Sequence, residues 1–80
     1  MENFPLDEGT LVEVLDLERT RNNPNYSSYI GQIGEVRRSW RDSRGHFLAS
    51  IRFSDSLYLT SKTMYTWRVS PIPREPDWVL

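Results

Sequence analysis

The sequence contains no cysteine, one histidine (His46) and one alanine (Ala49). Without cysteine, no disulfide framework, thiol nucleophile or thiolate metal site can form. With a single histidine, no His pair can hold a catalytic metal. No apolar run approaches the roughly 18 residues of a membrane-spanning helix. No basic, apolar leader opens the chain, and a cytoplasmic setting is expected. The scarcity of alanine, beside many Val, Ile, Thr and aromatic residues, argues against helix as the main ingredient. Eighty residues make one small domain. The apolar share of 38% is low enough for a surface-dominated chain, and the chain is too rich in aromatics and aliphatics for disorder.

Charge is unevenly spread. Six acids (Glu2, Asp7, Glu8, Glu13, Asp16, Glu18) and no base lie in residues 1–18. Residues 19–68 hold nine bases against three acids (Glu35, Asp42, Asp55), so a basic middle of net +6 hides inside a chain of net −1. Nine of the ten bases are arginine, whose planar fork suits carboxylates and phosphates and stacks on rings.

Period-two patterning marks the strands. Thr10–Leu15 places Val12 and Val14 on one face. Asp16–Ser28 is polar and irregular, and Asn22-Asn23-Pro24-Asn25 cannot continue a helix or a central strand. Tyr29–Val36 is the most patterned stretch, with Gly31 and Gly34 at the entry to a second strand that runs through Arg38, where glycine permits a positive φ or a tight bend. Trp40–Gly45 is a polar turn. His46–Phe53 alternates cleanly, with Phe47, Ala49, Ile51 and Phe53 on one side and His46, Leu48, Ser50 and Arg52 on the other. Leu57–Leu59 is a short strand. Ser61–Thr66 is expected to form a single helical or 3₁₀ turn capped by Ser61, and Trp67–Val69 a last strand.

These elements predict an all-β fold, a small five-stranded barrel, closed or half-closed. Residues 1–8 form an N-terminal segment, 9–72 the barrel, and 73–80 an extended, proline-spaced tail. Leu48 with Trp78-Val79-Leu80 is a candidate apolar patch.

Gly9-Thr10-Leu11-Val12-Glu13-Val14, a long loop, and then Gly31-Gln32-Ile33-Gly34-Glu35-Val36 resemble the opening of SH3-like small barrels. KOW-type domains share this G-x-x-G-x-V turn, as do SH3-like photosynthetic accessory subunits. Trp67-Arg68-Val69-Ser70-Pro71-Ile72 resembles the last strand of the same group, so the resemblance spans roughly residues 9–72. It implies a barrel fold and a tendency to act as a docking module. The acidic first strand departs from RNA-binding KOW domains, whose early loops are basic, and this weighs against an RNA role.

Catalytic constellations are missing from the sequence. No G-x-S-x-G elbow, H-E-x-x-H pair or phosphate-cradling glycine loop is present. Asp7 and Glu8 are adjacent and point apart on an extended chain, and His46 reads as a surface hairpin residue. A binding role without cofactor or metal is expected.

Two segments carry the candidate sites. Arg37, Arg38, Arg41 and Arg44 fall within eight residues around Trp40, which a hairpin would gather at one end of the barrel. Their acids of choice within the chain are Glu13, Asp16, Glu35 and Asp42; unpaired, they suit an acidic partner surface. The long loop offers Arg19, Arg21, Tyr26 and Tyr29, types suited to adaptable recognition, or else folded back onto the barrel. The expected partner is a larger protein or nucleoprotein assembly. Direct RNA or DNA binding is the alternative, with the hairpin arginines on phosphates and Trp40 stacking on a base. Oligomeric state is open.

Overall fold

The computed structural model describes residues 4–54 and 59–73. Five antiparallel strands form one sheet: β1 (Leu11–Val14), β2 (Ile33–Arg41), β3 (Phe47–Ser54), β4 (Leu59–Tyr65) and β5 (Val69–Pro71). Their order is β4-β3-β2-β1-β5, so four strands follow one another as neighbours and the fifth returns to pair with the first. The fold is all-β, as the strand patterning predicts, and is compatible with a small β-barrel-like fold. Hydrogen bonding leaves the sheet open, with β4 and β5 as its two edges. Among the described residues, helix is confined to α1 (Glu18–Arg21) and to 3₁₀ turns at Ser27–Tyr29 and Thr66–Arg68. Among the described residues no helix is long and apolar enough to cross a membrane.

Alternation decides which face is covered. Val12 and Val14 of β1 are buried while Leu11 and Glu13 are exposed. Ala49, Ile51 and Phe53 of β3 point the same way and are buried. With Leu6, Val36, Met64 and Val69 they form the core, against which Phe4, Tyr26, Tyr29 and Ile30 pack. Each fully buried aliphatic or Phe side chain contributes on the order of 1.5–3 kcal/mol of hydrophobic stabilisation. Phe4 is fixed further by its backbone N–H, which donates to Thr66 Oγ1 at 3.1 Å. The chain ahead of the first strand therefore contributes to the core.

The two glycines before Val36 have different reasons. Gly31 has φ +84°, the left-handed backbone expected of such a corner. Gly34 is a packing glycine instead: a Cβ there would sit 2.5 Å from Ile51 Cγ2 and 2.9 Å from the Phe53 ring.

Three boundaries differ from the sequence reading. Residues 61–66 are not a helical or 3₁₀ turn capped by Ser61; residues 59–65 are strand, and the 3₁₀ turn comes later, at Thr66–Arg68. The polar run Thr60-Ser61-Lys62-Thr63 hides its alternation, but β3 supplies the register, setting Met64 opposite Ala49 and Lys62 opposite Ile51. The last strand accordingly starts at Val69, not at Trp67. β2 continues through Trp40 to Arg41, so the hairpin turn begins at Asp42. The expected strand over 57–59 meets the described residues only at Leu59. The tail from 74 onward, and with it the Trp78-Val79-Leu80 part of the apolar patch, lies outside them.

Candidate functional site

The β2–β3 hairpin carries the arginine cluster. Val36 pairs with Ile51 and Arg38 with Ser50, so Arg37 is an extra residue, a β-bulge. Past the bulge, Arg38 and Trp40 share the outer face, and Trp40, Leu48 and Tyr65 line up across three strands. Trp40 is 37% exposed. The tip is closed by Asp42: its carbonyl accepts from the Gly45 N–H at 3.0 Å. Its side-chain Oδ1 accepts from the N–H of Arg44 (2.9 Å) and of His46 (2.8 Å). The amide of His46 first, opposed by desolvation and then aided by the amide of Arg44, holds the Asp42 carboxyl below the ordinary carboxylate range.

Asp42 Oδ1 is thus taken by backbone amides, and Oδ2 lies 3.8 Å from His46 Nδ1. Of the four hairpin arginines only Arg37 has a carboxylate within 4 Å among the described residues, Glu35 at 3.1 Å. Arg38 lies over the Trp40 ring (5.6 Å to the centroid) and Arg41 over Phe47 (5.7 Å). Arg38, Arg41 and Arg44 have no carboxylate within 4 Å among the described residues, although the charge of Arg44 helps to lower the Asp42 carboxyl. Arg37 meets its own acid instead of joining that set.

The long loop behaves differently from a free recognition loop. Arg21 is paired with Asp16, Nε to Oδ1 at 2.7 Å. Tyr29 folds back onto Phe53, ring centroids 4.9 Å apart. Tyr26 is half-buried. Thr20 is fully buried and accepts a 2.8 Å hydrogen bond from Arg68 Nη1 across 48 residues of sequence. The loop is therefore pinned to the sheet.

Pinning builds a second constellation. Arg68 has its guanidinium carbon 4.2 Å from the Tyr26 ring centroid and 4.2 Å from that of Trp67. Lys62 Nζ lies over Tyr26 (5.2 Å) and Arg19 over Trp67 (4.7 Å). Trp67 is stacked with Tyr65 at 6.3 Å, and Tyr65 meets His46 edge-on at 5.7 Å. The chain of contacts Lys62–Tyr26–Arg68–Trp67–Arg19 has no carboxylate in it. Desolvation pulls Arg68 below its ordinary pKa, Tyr26 opposes this, and the like charge of Arg19 adds to it.

The structure brings Arg19 and Tyr26 into one cluster and puts Arg38, Trp40, Arg41 and Arg44 along one hairpin, where alternation sends Arg38 and Trp40 to the outer face and Arg41, opposite Phe47, to the other. Arg21, Tyr29 and Arg37 are each occupied by a neighbour. Lys62, Tyr65, Trp67 and Arg68 were missed as site residues. Trp67-Arg68 was a visible cation–aromatic pair, but nothing local places Thr20 or Tyr26 against it. Glu8 and Glu35 line a separate cleft with Leu11, Ile72 and Pro73, so the acids of that cleft stand apart from both clusters. Among the described residues no group of three or more His, Cys, Asp or Glu side chains is arranged to hold a metal ion. No family model matches this chain, and no curated protein or solved structure matches it.

Proposed function

We propose that the chain is a non-catalytic docking module of the SH3-like type, acting in a cytoplasmic setting, that engages an acidic surface of a larger protein or nucleoprotein assembly. The observation that carries this reading is the hairpin: Arg38, Arg41 and Arg44 lie along it with no carboxylate within 4 Å of their guanidinium groups among the described residues. Arginines held over their own rings are partly preorganised, which reduces the side-chain entropy lost on binding. The pinned loop adds Arg19 and the Trp67 ring as a second patch of the same charge.

A continuous polyanion fits less well. Glu8, Glu13 and Glu35 lie on strands β1 and β2 or just before them, and they oppose a phosphate backbone that runs the length of the sheet. The experiment is affinity capture from an extract of the source organism with and without nuclease. A bound protein that survives nuclease supports docking. Loss of all binding on nuclease treatment, together with retention on heparin at moderate salt, supports direct nucleic-acid binding instead.

A further inference from the structure

The two open edges of the sheet differ. β5 is three residues long and ends in Pro71, and shortness and proline both blunt an edge. β4 is seven residues long, has no proline and carries one charged side chain, Lys62. The register shows which of its backbone groups are free. Val36 turns both its groups toward the β1 side: its N–H donates to the Thr10 carbonyl (2.9 Å), and its carbonyl accepts from the Gly9 N–H (2.7 Å). Its β3 neighbour Ile51 therefore points its own N–H and carbonyl away from β2, toward Lys62. Alternation then aims the backbone groups of Lys62 and Met64 at β3, and those of Ser61 and Thr63 outward. Among the described residues no other segment takes up the outward groups, and Ser61 and Thr63 are exposed.

We propose that the β4 edge adds an extended strand of the protein partner, with an Asp or Glu side chain opposite Lys62. The inference rests on the docking reading above and names a second contact within it. Edge pairing draws its affinity from main-chain hydrogen bonds, and the side chains beside the edge set the specificity. Here the side chain is a cation. Lys62 holds its ammonium over the Tyr26 ring (5.2 Å), where Arg68 also lies, and has no carboxylate within 4 Å among the described residues. A carboxylate on the added strand completes an opposite-charge cross-strand pair. A second copy of β4 offers no such group, because the strand has no acid. Pairing two copies would also gather both Lys62 and both Arg68 side chains on one face, like charge against like. An acidic strand extends the Trp40–Leu48–Tyr65 row by one position, which joins this contact to the arginine hairpin.

The test follows backbone amide exchange in the intact ¹⁵N-labelled chain. In the free chain Ser61 and Thr63 are expected to exchange fast, and Lys62 and Met64 slowly. Two capped seven-residue peptides of alternating threonine and valine, one with a central glutamate and one with a central lysine, then serve as probes at fixed ionic strength. The glutamate peptide should slow Ser61 and Thr63 saturably, with a half-saturation about threefold lower than that of the lysine peptide. Thr63→Pro removes an outward N–H and no β3 pairing, so it should weaken the glutamate peptide about fivefold while Lys62 and Met64 stay protected. Should that variant not fold, Lys62→Glu is expected to reverse the preference between the peptides. Slow exchange at Ser61 and Thr63 in the free chain overturns the inference, as does protection that grows with chain concentration alone. Binding of neither peptide, or equal binding of both, overturns it as well. The two readings fail separately: an intact peptide response with no dependence of partner capture on the hairpin arginines defeats the docking reading, and the converse pattern defeats this one.

Discussion

Gly34 shows how much a single side chain is constrained. It lies in β2 beneath Ile51 and Phe53, where a methyl group has no room. Gly34→Ala should destabilise the fold by about 1–3 kcal/mol through overpacking, read as a lower urea midpoint with an unchanged slope. Thr20 makes the complementary point. Thr20→Val removes the acceptor of Arg68 Nη1 and leaves a second buried donor unpaired. A loss of about 1–3 kcal/mol is expected, with Thr20→Ser restoring most of it. Equal urea midpoints for Thr20→Val and the parent would show that this hydrogen bond does not hold the loop. The sequence made Gly34 visible as a special residue but not the reason, and it concealed Thr20 entirely. A buried threonine in a polar segment looks like any loop residue until its partner, 48 positions away, is known.

Element by element, legibility followed the strength of the local pattern. β3 was readable because four large or buried positions alternate without interruption. β1 was readable from Val12 and Val14. β4 was not, because only Met64 marks its inner face strongly; Lys62, on the same face, has its ammonium over the Tyr26 ring. Register from β3, a non-local influence, makes that segment a strand. The hairpin turn was placed two residues early because Trp40 and Arg41 look polar and irregular in sequence yet pair with Leu48 and Phe47. The turn itself has a pH dependence of definite sign. The folded Asp42 carboxyl lies below its ordinary value. Its hydrogen bonds therefore help the tip fully above the ordinary carboxylate pKa, and that help is lost as pH falls through the depressed folded value. The Arg44 and His46 amide resonances should stay native-like through the usual carboxylate range and move only below it. Movement centred on the ordinary value would contradict the Asp42 arrangement.

At the scale of the molecule, a net charge of −1 conceals a polar object. The cleft lined by Glu8 and Glu35 lies on the β1 side, the unpaired arginines at the β2–β3 hairpin, and the cation–ring stack where the long loop meets the Thr66–Arg68 turn. Sequence arithmetic revealed the basic middle segment and its hairpin. It did not reveal that the loop is pinned, since Tyr29 and Thr20 are held by tertiary contacts. In the proposed docking reading the hairpin is the leading element, with the Arg19–Trp67 contact of the loop beside it. The most direct measurement is quantitative capture from nuclease-treated extract by three proteins: the parent, Arg38→Gln/Arg41→Gln/Arg44→Gln, and Arg52→Gln as a control on the sheet face. All three should unfold at the same urea concentration. The parent and the Arg52 variant are expected to retain the same protein, and the triple variant to retain at least about tenfold less of it. Equal retention by all three, with the fold intact, would contradict a docking role for the hairpin.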